Sequence, residues 1–333
     1  MNNTNWVNEI INSRERYTIP IMTHPGIEMI GSTVKNAVTD GEVHARAIKT
    51  LSEKFPSKAS TVIMDLTVEA EAFGCRIEFP EQDMPHIIGR LVDSNDAIKK
   101  LPVPDLSAGR IPEYLKANRL AVENITDRPV FAGAIGPFSL AGRLYDMSEI
   151  MIGCYLEPEA IALLLDKCTQ FIQSYCLALK QAGCYGVVLA EPAAGLLSND
   201  DCMQFSSVYI KQIVEEVQDD DFMVILHNCG NTGQCTDAMI YTGAKAYHFG
   251  NAISMVEALK ACPRDVLVMG NIDPVGTLRM MTSGEVYNEV ASLLDQTKDF
   301  PNFVLSTGCD VPANVPVENI EAYYNALSGF NLK

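Results

Sequence analysis

The sequence is short of positive charge: 25 Lys and Arg residues stand against 42 Asp and Glu, a formal net charge of −17. Nucleic acid and anionic membrane surfaces both demand a basic face, so neither is expected as a partner. No run of 18 apolar residues is available to span a bilayer. The stretch from Met1 to Arg16 holds no apolar signal-peptide core. A cytoplasmic protein is expected. No Gly-x-Gly-x-x-Gly follows the first apolar run, which removes the dinucleotide fingerprint of a doubly wound open sheet. The ten cysteines lack paired spacing, so they form no disulfide framework. They read as reduced thiols, with room for a metal-binding or reactive pair among them. Internal repeats, low-complexity tracts and Ser/Gly linkers are also missing, so residues 1–333 are expected to form one domain.

What is present is a long alternation of short apolar runs and helical patterns. With 47% hydrophobic residues the chain can bury a large core. A helical extension at residues 5–16 precedes eight apolar runs: Thr18–His24, Ser60–Leu66, Pro129–Gly136, Gly183–Glu191, Phe222–Cys229, Ala246–Phe249, Val266–Asp273 and Asn302–Gly308. Helical spacing fills the intervals, for instance at Val43–Lys54, Pro158–Ala182 and Gly284–Thr297. Residues 69–104, rich in Pro, read as an irregular excursion over one end of the molecule. Eight strands alternating with helices at this length predict an α/β fold, a single (β/α)8 TIM barrel. In such a barrel all strands end at one mouth, where reactions occur. His24, Asp65, Glu191, His227, Cys229, Asp273 and Cys309 all fall at or near those ends.

The stretch Phe222-Met-Val-Ile-Leu-His-Asn-Cys-Gly230 carries the most chemistry. Its apolar run reads as a fully buried parallel strand. Side chains alternate along a strand, so His227 and Cys229 share a face. An imidazole and a thiol side by side at a strand end make half of a zinc site. Cys309, which also ends an apolar run, is the candidate for the rest. A lone buried cysteine is by default packing, and Cys235 is read that way. His248 is read as a satisfied core histidine, and His24 has no evident partner.

Several segments resemble the uroporphyrinogen decarboxylase superfamily, and within it the zinc-dependent corrinoid methyltransferases of the methylcobalamin:coenzyme M type. The carriers are Met64-Asp-Leu-Thr-Val-Glu-Ala-Glu71, Gly136-Pro-Phe-Ser-Leu-Ala141, Glu191-Pro-Ala-Ala, His227-Asn-Cys-Gly, Gly270-Asn-Ile-Asp-Pro and Ser306-Thr-Gly-Cys309-Asp. They spread over essentially the whole chain. The resemblance implies that His227, Cys229 and Cys309 bind Zn2+, and that a corrinoid, presented by a separate small corrinoid protein, donates or accepts a methyl group. Two departures separate this chain from the decarboxylase itself. The Arg-rich segment after the first strand is replaced by Thr23-His-Pro-Gly-Ile-Glu-Met29, and the late Gly-His-Gly by Gly308-Cys309-Asp310. An acidic protein without those arginines is a poor host for a polycarboxylate.

Three protein ligands and an open position describe a catalytic zinc site. A thiol entering that position would be deprotonated by the metal and could exchange a methyl group with cobalt. Glu191 is expected as a resting fourth ligand or a nearby base, the alternative being an ordinary mouth residue paired with a cation. Asp65 is expected either in the site or as a helix cap. Three readings of the chain remain at this point: a zinc-dependent methyltransferase using a small thiol substrate, a metal-free uroporphyrinogen decarboxylase, and a non-catalytic accessory barrel. Within the first, the acceptor could be coenzyme M, homocysteine or another thiol, and transfer could run in either direction.

Overall fold

A computed structural model describes residues 2–332 of the chain. Its centre is a seven-stranded parallel sheet: β1 (Ser60–Thr61), β2 (Val130–Ile135), β3 (Gly186–Ala190), β4 (Met223–Asn228), β5 (Ala246–Phe249), β6 (Leu267–Ile272) and β7 (Phe303–Thr307), neighbours in that order. Every residue of β3, β4, β5 and β7 is buried. That burial explains why these strands are continuous apolar runs rather than alternating ones: parallel strands covered on both faces have no solvent side.

The expected closed barrel of eight strands is met by seven. The run Thr18–His24 is no regular strand and touches the sheet through two isolated parallel bridges, Thr18 with Leu305 and Met22 with Val311. Pro20 is the physical reason, because it supplies no N–H to a ladder. The segment nevertheless meets both edges. The Ile19 N–H donates to the Leu305 carbonyl (3.0 Å), and the Lys58 N–H donates to the Thr18 carbonyl (2.9 Å) from the β1 side. The run after Ser60 is likewise shorter than expected as a strand. His24 instead starts a short helix, His24–Met29.

Helices cover the convex face. The longest, Pro158–Gln181, has Pro in its first turn and buries Ile161, Leu164, Leu165, Cys168, Ile172, Tyr175, Cys176 and Leu179, an apolar stripe at helical spacing. The concave face is lined by alternate strand residues: Met223 and Ile225, Ala246, Leu267 and Met269, and Val304. The N-terminal helix, Asn3–Asn12, is capped by the Asn2 side chain on the Asn5 N–H. It sets Trp6, Val7 and Ile10 into this concave cluster beside Phe131 and Met223, near the strand starts. The helical extension expected at residues 5–16 therefore exists, ends at Asn12, and plugs the end of the sheet opposite the mouth. Within residues 69–104 a two-stranded antiparallel ribbon forms, Ile77–Glu78 with His86–Ile87. Among the described residues no helix is long and apolar enough to cross a membrane.

Candidate metal centre

At the carboxyl ends of β4 and β7 the predicted residues meet. One donor atom each from His227, Cys229 and Cys309 lies within 4.8 Å of the other two. The Cys309 Sγ is 3.9 Å from the His227 Nε2. A tetrahedral zinc with bonds of about 2.0 Å to nitrogen and 2.3 Å to sulfur sets neighbouring donors roughly 3.6 Å apart. The three atoms therefore stand close to zinc-ligand spacing, and one nitrogen with two soft sulfurs is a donor set zinc favours. His227 is fully buried, whereas the two cysteines are half-buried. An open side toward the mouth is what a substrate would need.

The thiols are electrostatically coupled. A hydrogen bond from the Cys309 thiol pulls Cys229 down to about 7, against burial. Donating that bond, together with burial, holds Cys309 up at about 12. The first proton of the pair is thus held less tightly than that of an ordinary thiol, in the direction that metal binding requires. Gly250, after β5, lets the neighbouring backbone reach Cys229: a Cβ there would sit 2.6 Å from the Cys229 carbonyl and 2.7 Å from its Cα.

Behind His227 lies a second histidine. In the parallel register His227 pairs with His248 of β5. Their Nδ1 atoms are 2.7 Å apart and the rings meet edge to face. The His248 Nε2 is 2.8 Å from the Ser306 Oγ. Burial drives His248 well below the usual imidazole range, and the neighbouring His227 adds to this. His248 is thus a satisfied core histidine, as expected. Its partners are what sequence reasoning missed, since cross-strand register is invisible in a single chain.

The two candidate carboxylates differ. Glu191 follows β3, and its N–H donates to the His227 carbonyl (2.8 Å), which places it beside the candidate cluster. Its side chain, however, accepts the Ser139 N–H (2.5 Å) and the Phe138 N–H (3.2 Å) at the start of the helix Pro137–Tyr145. Its oxygens are outside the three-residue cluster. Burial pushes this carboxyl up to about 7, partly offset by those hydrogen bonds. The cation partner considered for it is absent among the described residues.

Asp65 is fully engaged elsewhere. Its Oδ1 accepts from the Thr67 N–H and hydroxyl, at 2.9 and 2.7 Å. Its Oδ2 accepts from Arg110 at 2.5 Å and from the Tyr114 hydroxyl at 3.4 Å. Arg110 also binds Glu71 (2.6 Å) and the Val38 carbonyl (3.0 Å). This buried cluster ties the turn after β1 to the start of the helix Ile111–Asn124.

Other strand-end residues find local roles. Asp273 closes a turn onto the N–H groups of Val275 and Gly276. The Cys235 thiol is buried and points at the carbonyls of Ala194 and Leu197, as a packing residue does. His24 lines a cavity of about 290 Å³ with Glu28, Ser32, Asp83 and Asn314. Two further buried carboxyls escaped sequence reasoning. Glu69 accepts the Ile135 N–H (2.9 Å), and burial pushes it up to about 7. Asp310 accepts the Thr23 N–H (2.7 Å) beside Cys309.

Fold and site together define a class: a parallel α/β protein with a His/Cys/Cys cluster at the carboxyl ends of its strands. The sequence profile of the family described as uroporphyrinogen decarboxylase (URO-D) matches residues 19–330, and the chain belongs to that family. Among curated relatives it is similar to a methylcobamide:CoM methyltransferase MtbA of Methanosarcina mazei, 27% identical over 300 residues covering 89% of this chain and 86% of the relative. The MtbA of Methanosarcina acetivorans is 28% identical, covering 84% of each. A uroporphyrinogen decarboxylase of Legionella pneumophila is 25% identical, over 82% of this chain and 79% of the relative. Among solved structures, a methyltransferase from Methanosarcina mazei superimposes with a TM-score of 0.89 at 22% identity, covering 99% of both chains. A B12-independent methionine synthase from Shewanella reaches 0.56 at 15% identity, covering 96% of both. These two likenesses establish the shared fold.

Proposed function

We propose that this protein is a zinc-dependent methyltransferase that moves a methyl group between a corrinoid and a small thiol. The single observation that carries the reading is the convergence of His227, Cys229 and Cys309 within 4.8 Å of one another at the strand ends. The relatives named methylcobamide:CoM methyltransferase support it from the comparison side. Zinc bound there would supply a Lewis acid that makes a thiol ionise near neutral pH, where only a few per cent of a free thiol is thiolate.

The chain's own residues prepare that site. Cys229 and Cys309, as thiolates, and the Nε2 of His227 would hold the metal. Glu191 is assigned the role of a nearby base rather than a ligand. Reaching the cluster would strip two N–H donors from a buried helix start, whereas its proton affinity near neutrality suits proton exchange where it stands. Asp65 is assigned to holding the mouth through Arg110. The corrinoid is assigned to a small partner protein seated over the mouth. Ile152, Tyr155 and Leu156 on one helix, with Leu196 after β3, expose apolar surface that suits such a partner.

The test is direct. Protein carrying one zinc should convert methylcobalamin to cob(I)alamin in the presence of a thiol, read by absorbance, and Cys309→Ala should lose that activity. Coenzyme M and homocysteine are tried in parallel to name the thiol. Release of carbon dioxide from uroporphyrinogen by metal-free protein, with no thiol accepting methyl, would establish the decarboxylase reading instead. Protein that carries no zinc and performs neither reaction would be the accessory barrel.

A further inference from the structure

We infer that His248 and Ser306 are positioning residues that fix the tautomer of the metal ligand His227. The inference rests on the metal site proposed above and on a hydrogen-bond chain that starts at the Ile19 carbonyl. The Ser306 Oγ lies 2.7 Å from the Ile19 carbonyl oxygen. A carbonyl can only accept, so the hydroxyl proton is committed to it. The Ser306 oxygen then meets the His248 Nε2, 2.8 Å away, as an acceptor. His248 must carry its proton on Nε2, which leaves its Nδ1 a bare lone pair. Only one proton fits between the two Nδ1 atoms at 2.7 Å, and it must come from His227. His227 is therefore the Nδ1–H tautomer, and its Nε2 lone pair faces Cys309.

Every step is dry. Ile19, Ser306, His248 and His227 are each at most 2% exposed, so no water competes for these groups. A histidine held this way is ready to bind a cation without first moving a proton. Orientation of a ligating imidazole through its other nitrogen is a general device, usually built with a carboxylate or a carbonyl. Here a neutral imidazole takes that place, so no negative charge is added to a site that already has two thiols. The chain also anchors the metal ligand to Ile19, in the Pro20-interrupted segment that bridges the two edges of the sheet.

The first measurement needs no metal and no variant. In zinc-free protein with 15N-labelled histidine, the His227 side chain should show a protonated Nδ1 and an unprotonated Nε2, with His248 reversed. The opposite assignment overturns the inference. The second measurement is zinc affinity by chelator competition. His248→Ala should weaken binding 10- to 100-fold. His248→Gln, whose amide oxygen can accept the Nδ1–H, should recover part of the loss, and Ser306→Ala should lose less than His248→Ala. Wild-type affinity in folded His248→Ala overturns the positioning role while leaving the metal site intact. If His248→Ala does not fold, Ser306→Ala, which removes one oxygen, and the wild-type spectrum decide the question. A wild-type protein that fails to bind zinc refutes the proposed function, yet the tautomer measurement still stands.

Discussion

Glu191 gives the sharpest quantitative test of the site. Its carboxyl is buried against two backbone N–H groups, and burial raises it from an ordinary value near 4.5 to about 7. At about 1.4 kcal/mol per tenfold change in proton affinity, that corresponds to about 3 kcal/mol. The folded-state value lies above the unfolded one, so the folded protein binds the extra proton. This contribution is fully present below pH 4.5 and is lost as pH rises through 7. Ionising Glu191 in place should therefore cost stability between those limits. Glu191→Gln removes the titration. Its amide NH2 will oppose one of the two N–H donors, at a cost of about 1 kcal/mol that does not vary with pH. Urea denaturation of chelator-treated protein at pH 5, 6, 7 and 8 separates the two effects. The variant should start below wild type at pH 5 and overtake it by pH 8, the difference changing by about 2.5 kcal/mol. Glu69, also pushed up to about 7, leaves a residual slope in both proteins. Parallel curves for wild type and variant would show that Glu191 does not titrate in this range, and its assignment as a base would fall.

The other predictions concern the cluster and its supports. Cys229→Ala and Cys309→Ala should each reduce bound zinc, measured by elemental analysis after dialysis, to a small fraction of one per chain; full retention in both would place the metal elsewhere. Gly136→Ala would drive a Cβ into the Glu191 carboxylate, so it should cost about 1–3 kcal/mol of stability and shift the pH dependence ascribed to Glu191. Arg110→Met leaves Asp65 without its buried partner and should cost about 3–5 kcal/mol; a loss below about 1 kcal/mol in denaturant titration would refute the anchoring role.

Much of this architecture was legible because parallel strands buried on both faces leave a plain trace, the uninterrupted apolar run. Phe222–Leu226 and Val266–Met269 could be read as strands without knowing their neighbours. Thr18–His24 has the same composition, yet Pro20 denies it a ladder hydrogen bond, and the segment meets the sheet through isolated bridges and side-chain contacts instead. The helices Pro137–Tyr145 and Met147–Leu156 were not resolved as separate elements in the sequence. The first begins with Pro and the second with Asp146 capping Ser148 and Glu149, both ordinary start signals. The candidate cluster was legible because His227 and Cys229 lie two apart on one strand and Cys309 ends another. His248 and Ser306 were not, because their meaning depends on which strands are neighbours.

The two strand-end carboxylates show why position alone could not assign them. Asp65 and Glu191 both follow apolar runs, and in the sequence either could belong to the site. The difference lies in what compensates the buried charge. Asp65 faces a guanidinium, two hydrogen bonds from Thr67 and a phenol, each already committed. A carboxylate so held can anchor a turn but has no lone pair to spare for substrate. Glu191 has the Ser139 hydroxyl and the N–H groups of Ser139 and Phe138, all neutral donors, and these do not cancel the cost of burial. Burial therefore lifts its proton affinity above the ordinary carboxyl range, one residue past the strand that pairs with His227. The two carboxyls thus differ in compensation, one facing a cation and the other only neutral donors. Tertiary neighbours draw that distinction, where spacing along the chain could not.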